Sequence, residues 1–383
     1  MFYHKLGEIP HKRHVQFRKP DGSLYAEELM STKGFSGVYT NAYRLAPPTN
    51  ITDLGSTEVL KLDPWDEKRL RHHHLRMKSA KRGGDFFAAR TPILFNSDIV
   101  ISIALPENSM EYFYRNGSAD EILFVHEGEG ELDTLLGKLR YKQGDYLVIP
   151  RGVTYQFKFA DVPHRFFIIE SLAPVQTPKR YRNEFGQLLE HSPFCERDLR
   201  PPESLLAREE KGDFEIRVKK GLLYARFHYD RHPFDVVGWD GFYYPYAFSI
   251  YDFEPITGRI HQPPPVHQVF ETSQMVVCNF VPRLFDYHPS AIPAPYNHSN
   301  IDSDEVLYYV DGNFMSRKGI DTASLTLHPG GIPHGPHPGT VEKSIGAKET
   351  KEYAVMVDTF RPLFLTKEAA LFDDEQYVMS WKI

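Results

Sequence analysis

"YNHSNIDSDEVLYYVDG", residues 296–312, sets His298 seven positions ahead of Glu305, just before an apolar run of strand character. These residues alone leave two readings open: a solvated loop leading into a strand, or a strand mouth that holds a metal ion. A second copy bears on the choice. Residues 114–128, "YRNGSADEILFVHEG", align without a gap to residues 298–312, "HSNIDSDEVLYYVDG". Asn116 matches Asn300, Asp120 matches Asp304, Glu121 matches Glu305 and Gly128 matches Gly312. Downstream, "PRGVTY" (150–155) matches "PGGIPH" (329–334), both Pro-x-Gly-x-x before a ring side chain. Two motifs repeated in the same order mark an internal duplication at domain scale.

The rest of the chain carries the same signature of short strands. "DIVISIAL" (98–105), "DEILFVHEGEGEL" (120–132), "LRYKQGDYLVIPRG" (139–152) and "QFKFADVPHRFFIIE" (156–170) are rich in Val, Ile, Phe and Tyr and are broken by Gly, Asp and Pro. A second set runs through 214–229, 274–281, 305–314, 323–335 and 351–366. Between the sets, residues 172–204 are polar and Pro-rich. The division expected is a first β domain with an N-terminal arm over 1–171, a connecting arm over 172–212, and a second β domain over 213–383. Helical periodicity is scarce, and its main candidate is the basic run 66–84. His72, His73 and His74 within it are consecutive, cannot share one face, and read as a solvated basic patch.

Composition narrows the function classes. At 383 residues, 41% hydrophobic and 25% charged, the chain has the make-up of a globular protein large enough for two cores. A net charge of -6 gives no reason to expect nucleic acid or an anionic membrane as a partner. No apolar run approaches the ~20 residues of a membrane helix, and the N-terminus lacks the apolar core of a secretory signal, so a cytoplasmic location is expected. The 2 cysteines, Cys195 and Cys278, do not make a disulfide framework, while 18 histidines make a metal site a fair question.

The repeated motifs resemble the two motifs of the cupin barrel, in which a His, a Glu and a later His project from neighbouring strands into the barrel mouth. The resemblance implies an all-β bicupin: two cupin (jelly-roll) β-barrel domains with few helices. The C-terminal copy has the full set as His298, Glu305 and His334. The N-terminal copy has Tyr114 and Tyr155 where the histidines would be, and so keeps the shape without the ligands. Two imidazoles and a carboxylate with open positions form the facial triad typical of non-heme Fe(II) oxygenases, although Mn, Ni or Zn also accept nitrogen and oxygen donors.

More specifically, "LYAEEL" (24–29), "FDVVGWDGFYYPY" (234–246), "HSN" (298–300) and "SLTLHPGGIPHGP" (324–336) resemble the homogentisate 1,2-dioxygenase family. The resemblance implies cleavage of a 1,4-dihydroxylated aromatic acid with Fe(II) and O2, in tyrosine and phenylalanine catabolism, by a homo-oligomer built as a trimer or dimer of trimers. His298, Glu305 and His334 carry over as iron ligands. His261 carries over as the acid/base histidine, with His267 as the competing position. Asn300, Phe314, His328 and His337 are placed around the substrate. Two departures bear on the substrate: Phe314 stands where a carboxylate-binding tyrosine is usual, and Asp311 where a basic residue is usual. Phenylalanine donates no hydrogen bond, so Arg317, Lys318 and the stretch Tyr243–Tyr246 are the replacement donors to consider. Gentisate or another substituted hydroquinone is an alternative substrate, and a metal-binding bicupin with a sensor or structural role is the alternative outside enzymes.

Overall fold

Alternating apolar residues with frequent glycine and proline produce strands, and strands dominate. The computed structural model describes residues 2–312, 314 and 319–382. Among these residues the one α-helix is the five-residue Thr340–Ser344, and the remaining helical turns are short 3-10 segments. The all-β cupin fold expected from the motifs is the fold observed.

Three large sheets stack in layers. A seven-stranded sheet contains Gly130–Thr134, Gly137–Tyr141, Thr154–Phe159 and Phe113–Asn116, extended by Lys211–Lys220, Leu223–Arg231 and Ile51–Val59. A second sheet of seven contains Asp120–Glu127, Asp145–Ile149, Arg165–Ser171, Ile99–Ala104 and Arg90–Phe95, with Tyr246–Ser249 and Phe364–Leu365 at its edges. A six-stranded sheet orders Gln268–Glu271, Met275–Phe280, Glu352–Thr359, Asp304–Gly312, Ser324–His328 and His73–Arg76. Successive residues of a strand point to opposite faces, and Arg165–Ser171 uses both. Phe166 packs on Phe157 of the first sheet at 5.4 Å, while Phe167 stacks on Tyr308 of the six-stranded sheet at 4.6 Å. The two halves therefore share one continuous core.

Strand exchange blurs the expected division. Residue 213 falls inside the strand Lys211–Lys220, which runs parallel to Phe113–Asn116 and extends the first half's sheet past that point. The basic run 66–84 is not a helix. Its centre is the strand His73–Arg76, paired with Ser324–His328 at the edge of the second half's sheet, and His72, His73 and His74 are buried, not solvated. His72 Nε2 lies 3.1 Å from Pro333 O, His73 Nδ1 2.9 Å from Asp373, and His74 between Ser324 and Asp374.

The repeat seen in the sequence recurs in the hydrogen bonds. Asn116 O accepts from Gly152 N at 2.7 Å, and Asn300 O from Gly331 N at 2.6 Å. Asp120 accepts from the amides of Arg151 and Val175, and Asp304 from those of Gly330 and Leu363. The matched aspartates are thus loop anchors, which explains why they repeat although neither faces a site. Gly128 and Gly312 both adopt positive φ, and a Cβ on Gly312 would lie 2.2 Å from Lys351 O.

Candidate metal centre

The strand Asp304–Gly312 carries Glu305 inward between Ser324–His328 and Glu352–Thr359, with His328 and Asp358 as its register partners. The loops at the strand mouth meet in a two-way backbone pairing, His298 N to His334 O at 2.8 Å and His334 N to His298 O at 2.9 Å. That clamp brings both imidazoles to one carboxylate. Donor atoms of His298, Glu305 and His334 all lie within 4.8 Å of one another. His298 Nε2 is 3.5 Å from Glu305 Oε2, and His334 Nε2 is 3.2 Å from Glu305 Oε1. His334 Nε2 is buried and makes no hydrogen bond, which leaves a nitrogen lone pair available to an ion.

Two further groups fix this arrangement. His328 Nδ1 is 2.7 Å from Glu305 Oε1, and its Nε2 is 3.1 Å from the Tyr377 hydroxyl. Burial works to raise the Glu305 carboxyl, but the hydrogen bonds with His298 and His328 and the adjacent His334 imidazole outweigh it and hold Glu305 well below the usual carboxylate range. Asp358 behaves in the opposite sense. Burial, followed by the adjacent Glu305 charge, pushes its carboxyl up to about 8, with only His298 and the Asn300 amide opposing. Asn300 Nδ2 donates to Asp358 Oδ1 at 3.2 Å. Among the described residues neither Glu305 nor Asp358 has a Lys or Arg partner, so the acid pair calls for a cation. Nitrogen and oxygen donors without a thiolate fit iron, manganese or zinc.

Beside Glu305 opens a cavity of about 390 Å³. Of the side chains expected around a substrate, Asn300 and Phe314 line it, together with both His261 and His267. His328 and His337 do not. They sit behind the candidate ligands, where His328 bridges Glu305 to Tyr377 and His337 lies 2.5 Å from Ser380 Oγ and stacks on Trp381. The Tyr243–Tyr246 stretch is also remote: the Tyr243 and Tyr244 hydroxyls donate to Arg151 O and Phe2 O in the first half. Asp311 is exposed and outside the lining. Arg317 and Lys318 lie outside the described residues.

The sequence profile described as homogentisate 1,2-dioxygenase N-terminal matches residues 19–250, more than half of the chain. The chain belongs to the homogentisate 1,2-dioxygenase family. A protein of Saccharolobus solfataricus, provisionally named a dioxygenase, is 44% identical over 100% of this chain and 99% of its own length. Homogentisate 1,2-dioxygenases of Bradyrhizobium diazoefficiens and Emericella nidulans are each 28% identical; the alignments cover 71% and 62% of this chain but only 63% and 54% of theirs. A cupin 2 barrel protein from Leptotrichia buccalis aligns with TM-score 0.32 at 12% identity, over 79% of this chain and 98% of that one, a likeness too weak to add to the topology.

Within this member of the homogentisate 1,2-dioxygenase family, the N-terminal copy answers the same charge problem differently. Glu121 again pairs in register with an acid, Glu170, and Asn116 Nδ2 donates to Glu170 at 2.9 Å, as Asn300 does to Asp358. Here Arg90 occupies the place of a cation: its Nη1 is 2.6 Å from Glu121 and its Nη2 donates to the Tyr155 hydroxyl at 2.9 Å. Lys219 pairs with Glu170. Neither Asp358 nor Arg90 was singled out from the sequence. A third repeated motif signals the first of them: "ESLAP" (170–174) against "DTFRP" (358–362).

Proposed function

We propose that the chain is a non-heme Fe(II) dioxygenase that opens the ring of a 1,4-dihydroxylated aromatic acid, with His298, Glu305 and His334 as the metal ligands. What supports this most is the acid pair of buried Glu305 and half-buried Asp358, which has no Lys or Arg partner among the described residues and faces two imidazoles at the end of a cavity. Fe(II) held by His298, Glu305 and His334 would bind a phenolic oxygen and dioxygen and let electron density pass between them. Everything else falls to side chains. Glu305, kept ionised and fixed by His328, presents a permanent negative charge to the ion. Leu307, Tyr309, Phe314, Ala354 and Met356 form an apolar wall that holds a ring and keeps water out.

His261 is the proton acceptor for the ring hydroxyl. Its Nδ1 faces Asp286 at 3.3 Å, so Nδ1 carries the proton and Nε2 is the free base. His267 lines the same cavity, but burial, then the Arg283 and His261 charges, push it down to about 3. A base that weak is poorly matched to a phenol near neutral pH.

The test is metal analysis of anaerobically purified protein followed by oxygen uptake with hydroquinone, gentisate and homogentisate. One iron per chain and uptake with a ring-opened product support the reading. Stoichiometric metal with no uptake on any of the three would sink it and leave a non-catalytic metal-binding bicupin.

A further inference from the structure

The candidate ligand His334 stands in a loop, and its place depends on what holds that loop. Residues 329–339 form no strand or helix, only the isolated bridge between His334 and His298. Residues 334–337 are nonetheless buried, so their peptide groups need partners from elsewhere in the chain. Two ring nitrogens from distant segments supply them. His72 Nε2 faces Pro333 O at 3.1 Å, and since a carbonyl only accepts, that nitrogen carries the proton and donates it. Trp381, from the 3-10 turn Tyr377–Trp381, donates through Nε1 to Gly335 O at 3.0 Å. The two carbonyls flank His334, one on each side. The peptide N–H and C=O of His334 itself are closed by the pairing with His298 at 2.9 and 2.8 Å, so the backbone is tied down across residues 333–335.

Ring contacts complete the seat. His334 stacks on His328 at 4.4 Å and meets His72 edge-on at 5.7 Å. Its Nδ1 lies 3.2 Å from Ile332 O and therefore carries the proton, which leaves the Nε2 lone pair facing Glu305. His72 and Trp381 touch each other as well, with ring centroids 5.4 Å apart. Gly335 packs so closely on Asn297 that a Cβ would lie 2.2 Å from its Oδ1. Neither His72 nor Trp381 is among the described residues that line the cavity, so neither touches a molecule bound there.

We propose that His72 and Trp381 are positioning residues for the metal centre, holding the carbonyls on either side of His334 so that its Nε2 stays within reach of an ion shared with His298 and Glu305. This rests on the reading of His334 as a metal ligand. It also gives the buried histidine run 72–74 a use: its first member belongs to the support of the site, from a segment more than 250 positions away in sequence. Groups that orient a ligand from behind are typically worth about ten- to a hundredfold in metal affinity.

Titration of the metal-free protein with Co(II) tests this, read by competition with a chelator and by the visible absorption of the bound ion, which follows ligand geometry. His72→Phe and Trp381→Phe keep an aromatic ring and delete the N–H. Each should weaken Co(II) by about tenfold or more and change the visible spectrum at saturation, and His72→Gln, whose amide N–H replaces the lost donor, should recover most of the affinity. Affinity and spectrum unmoved by both Phe variants would overturn the proposal, even if the melting temperature of the metal-free protein falls, because a role in packing alone predicts that pattern. His72→Gln as weak as His72→Phe would overturn it for His72. Should His72→Phe fail to fold, Trp381→Phe, a change at a half-buried ring, decides alone. His334→Ala separates the two claims. Co(II) held as tightly without His334 refutes its reading as a ligand and the proposal with it, whereas Co(II) lost there but unmoved by both Phe variants refutes the positioning alone.

Discussion

Replacing Arg90 with methionine removes the guanidinium that fills, in the N-terminal barrel, the place proposed for a metal ion in its twin. The side chains of Arg90 and Glu121 are 6% and 0% exposed, so no water takes over the lost bonds. Glu121 would keep only the Tyr155 hydroxyl at 2.9 Å, with Glu170 as its register neighbour and Lys219 committed to Glu170. Removing one partner of a buried pair typically costs about 3–5 kcal/mol, because the remaining charge is left uncompensated. At this chain length that is a fall of roughly 4–6 °C in melting temperature. Differential scanning calorimetry, with circular dichroism to confirm the β fold, measures it. The double variant Arg90→Met/Glu121→Gln should regain much of the loss, since it removes the charge that Arg90 neutralised. An unchanged melting temperature for Arg90→Met, or a double variant less stable than either single one, would refute the reasoning.

Three other outcomes are expected. His298→Ala, Glu305→Ala and His334→Ala should each lose stoichiometric iron while keeping the β circular dichroism spectrum; iron retained by any one of them removes that residue from the ligand set. Tyr377→Phe deletes the hydroxyl that holds His328 Nε2 at 3.1 Å and should lower iron affinity by about ten- to a hundredfold, read by competition with a chelator; unchanged affinity would make Tyr377 a packing residue only. His126, buried with its Nδ1 2.5 Å from the Tyr308 hydroxyl, is pushed down to about 4 by burial and then by the Arg165 charge. Its folded-state value lies below the unfolded one, so the unfolded chain binds the extra proton. Stability is complete above about pH 6.5 and falls as pH drops toward 4, by about 3 kcal/mol in all. Urea denaturation of His126→Gln across that window should show a shallower slope than the unmodified protein, and identical slopes would contradict the assignment.

The sequence made local and repeated features readable, and hid those that depend on distant pairing. Alternating apolar residues in 98–170 reappear as the strands Ile99–Ala104, Asp120–Glu127, Asp145–Ile149 and Arg165–Ser171, because one buried face dictates a period of two. The grouping of His298, Glu305 and His334, the proposed ligands, was readable since the duplication supplied its own alignment. The His72–His74 run was misread because its neighbours are charged. Only the edge of the Ser324–His328 strand, some 250 positions away, makes it a buried strand. Arg90 was invisible for the same reason: nothing near it in sequence shows that it faces Glu121.

In the proposed function a bound metal balances the carboxylate pair of the C-terminal barrel, as a guanidinium balances that of its N-terminal twin. Anomalous diffraction at the iron edge, from crystals of anaerobically purified protein, tests it most directly. One iron peak per chain is expected, about 2.0–2.2 Å from an imidazole nitrogen of His298, a Glu305 oxygen and an imidazole nitrogen of His334, with Arg90 still seated between Glu121 and Tyr155. A peak that any of the three ligands fails to touch, or a second peak beside Glu121, would contradict it.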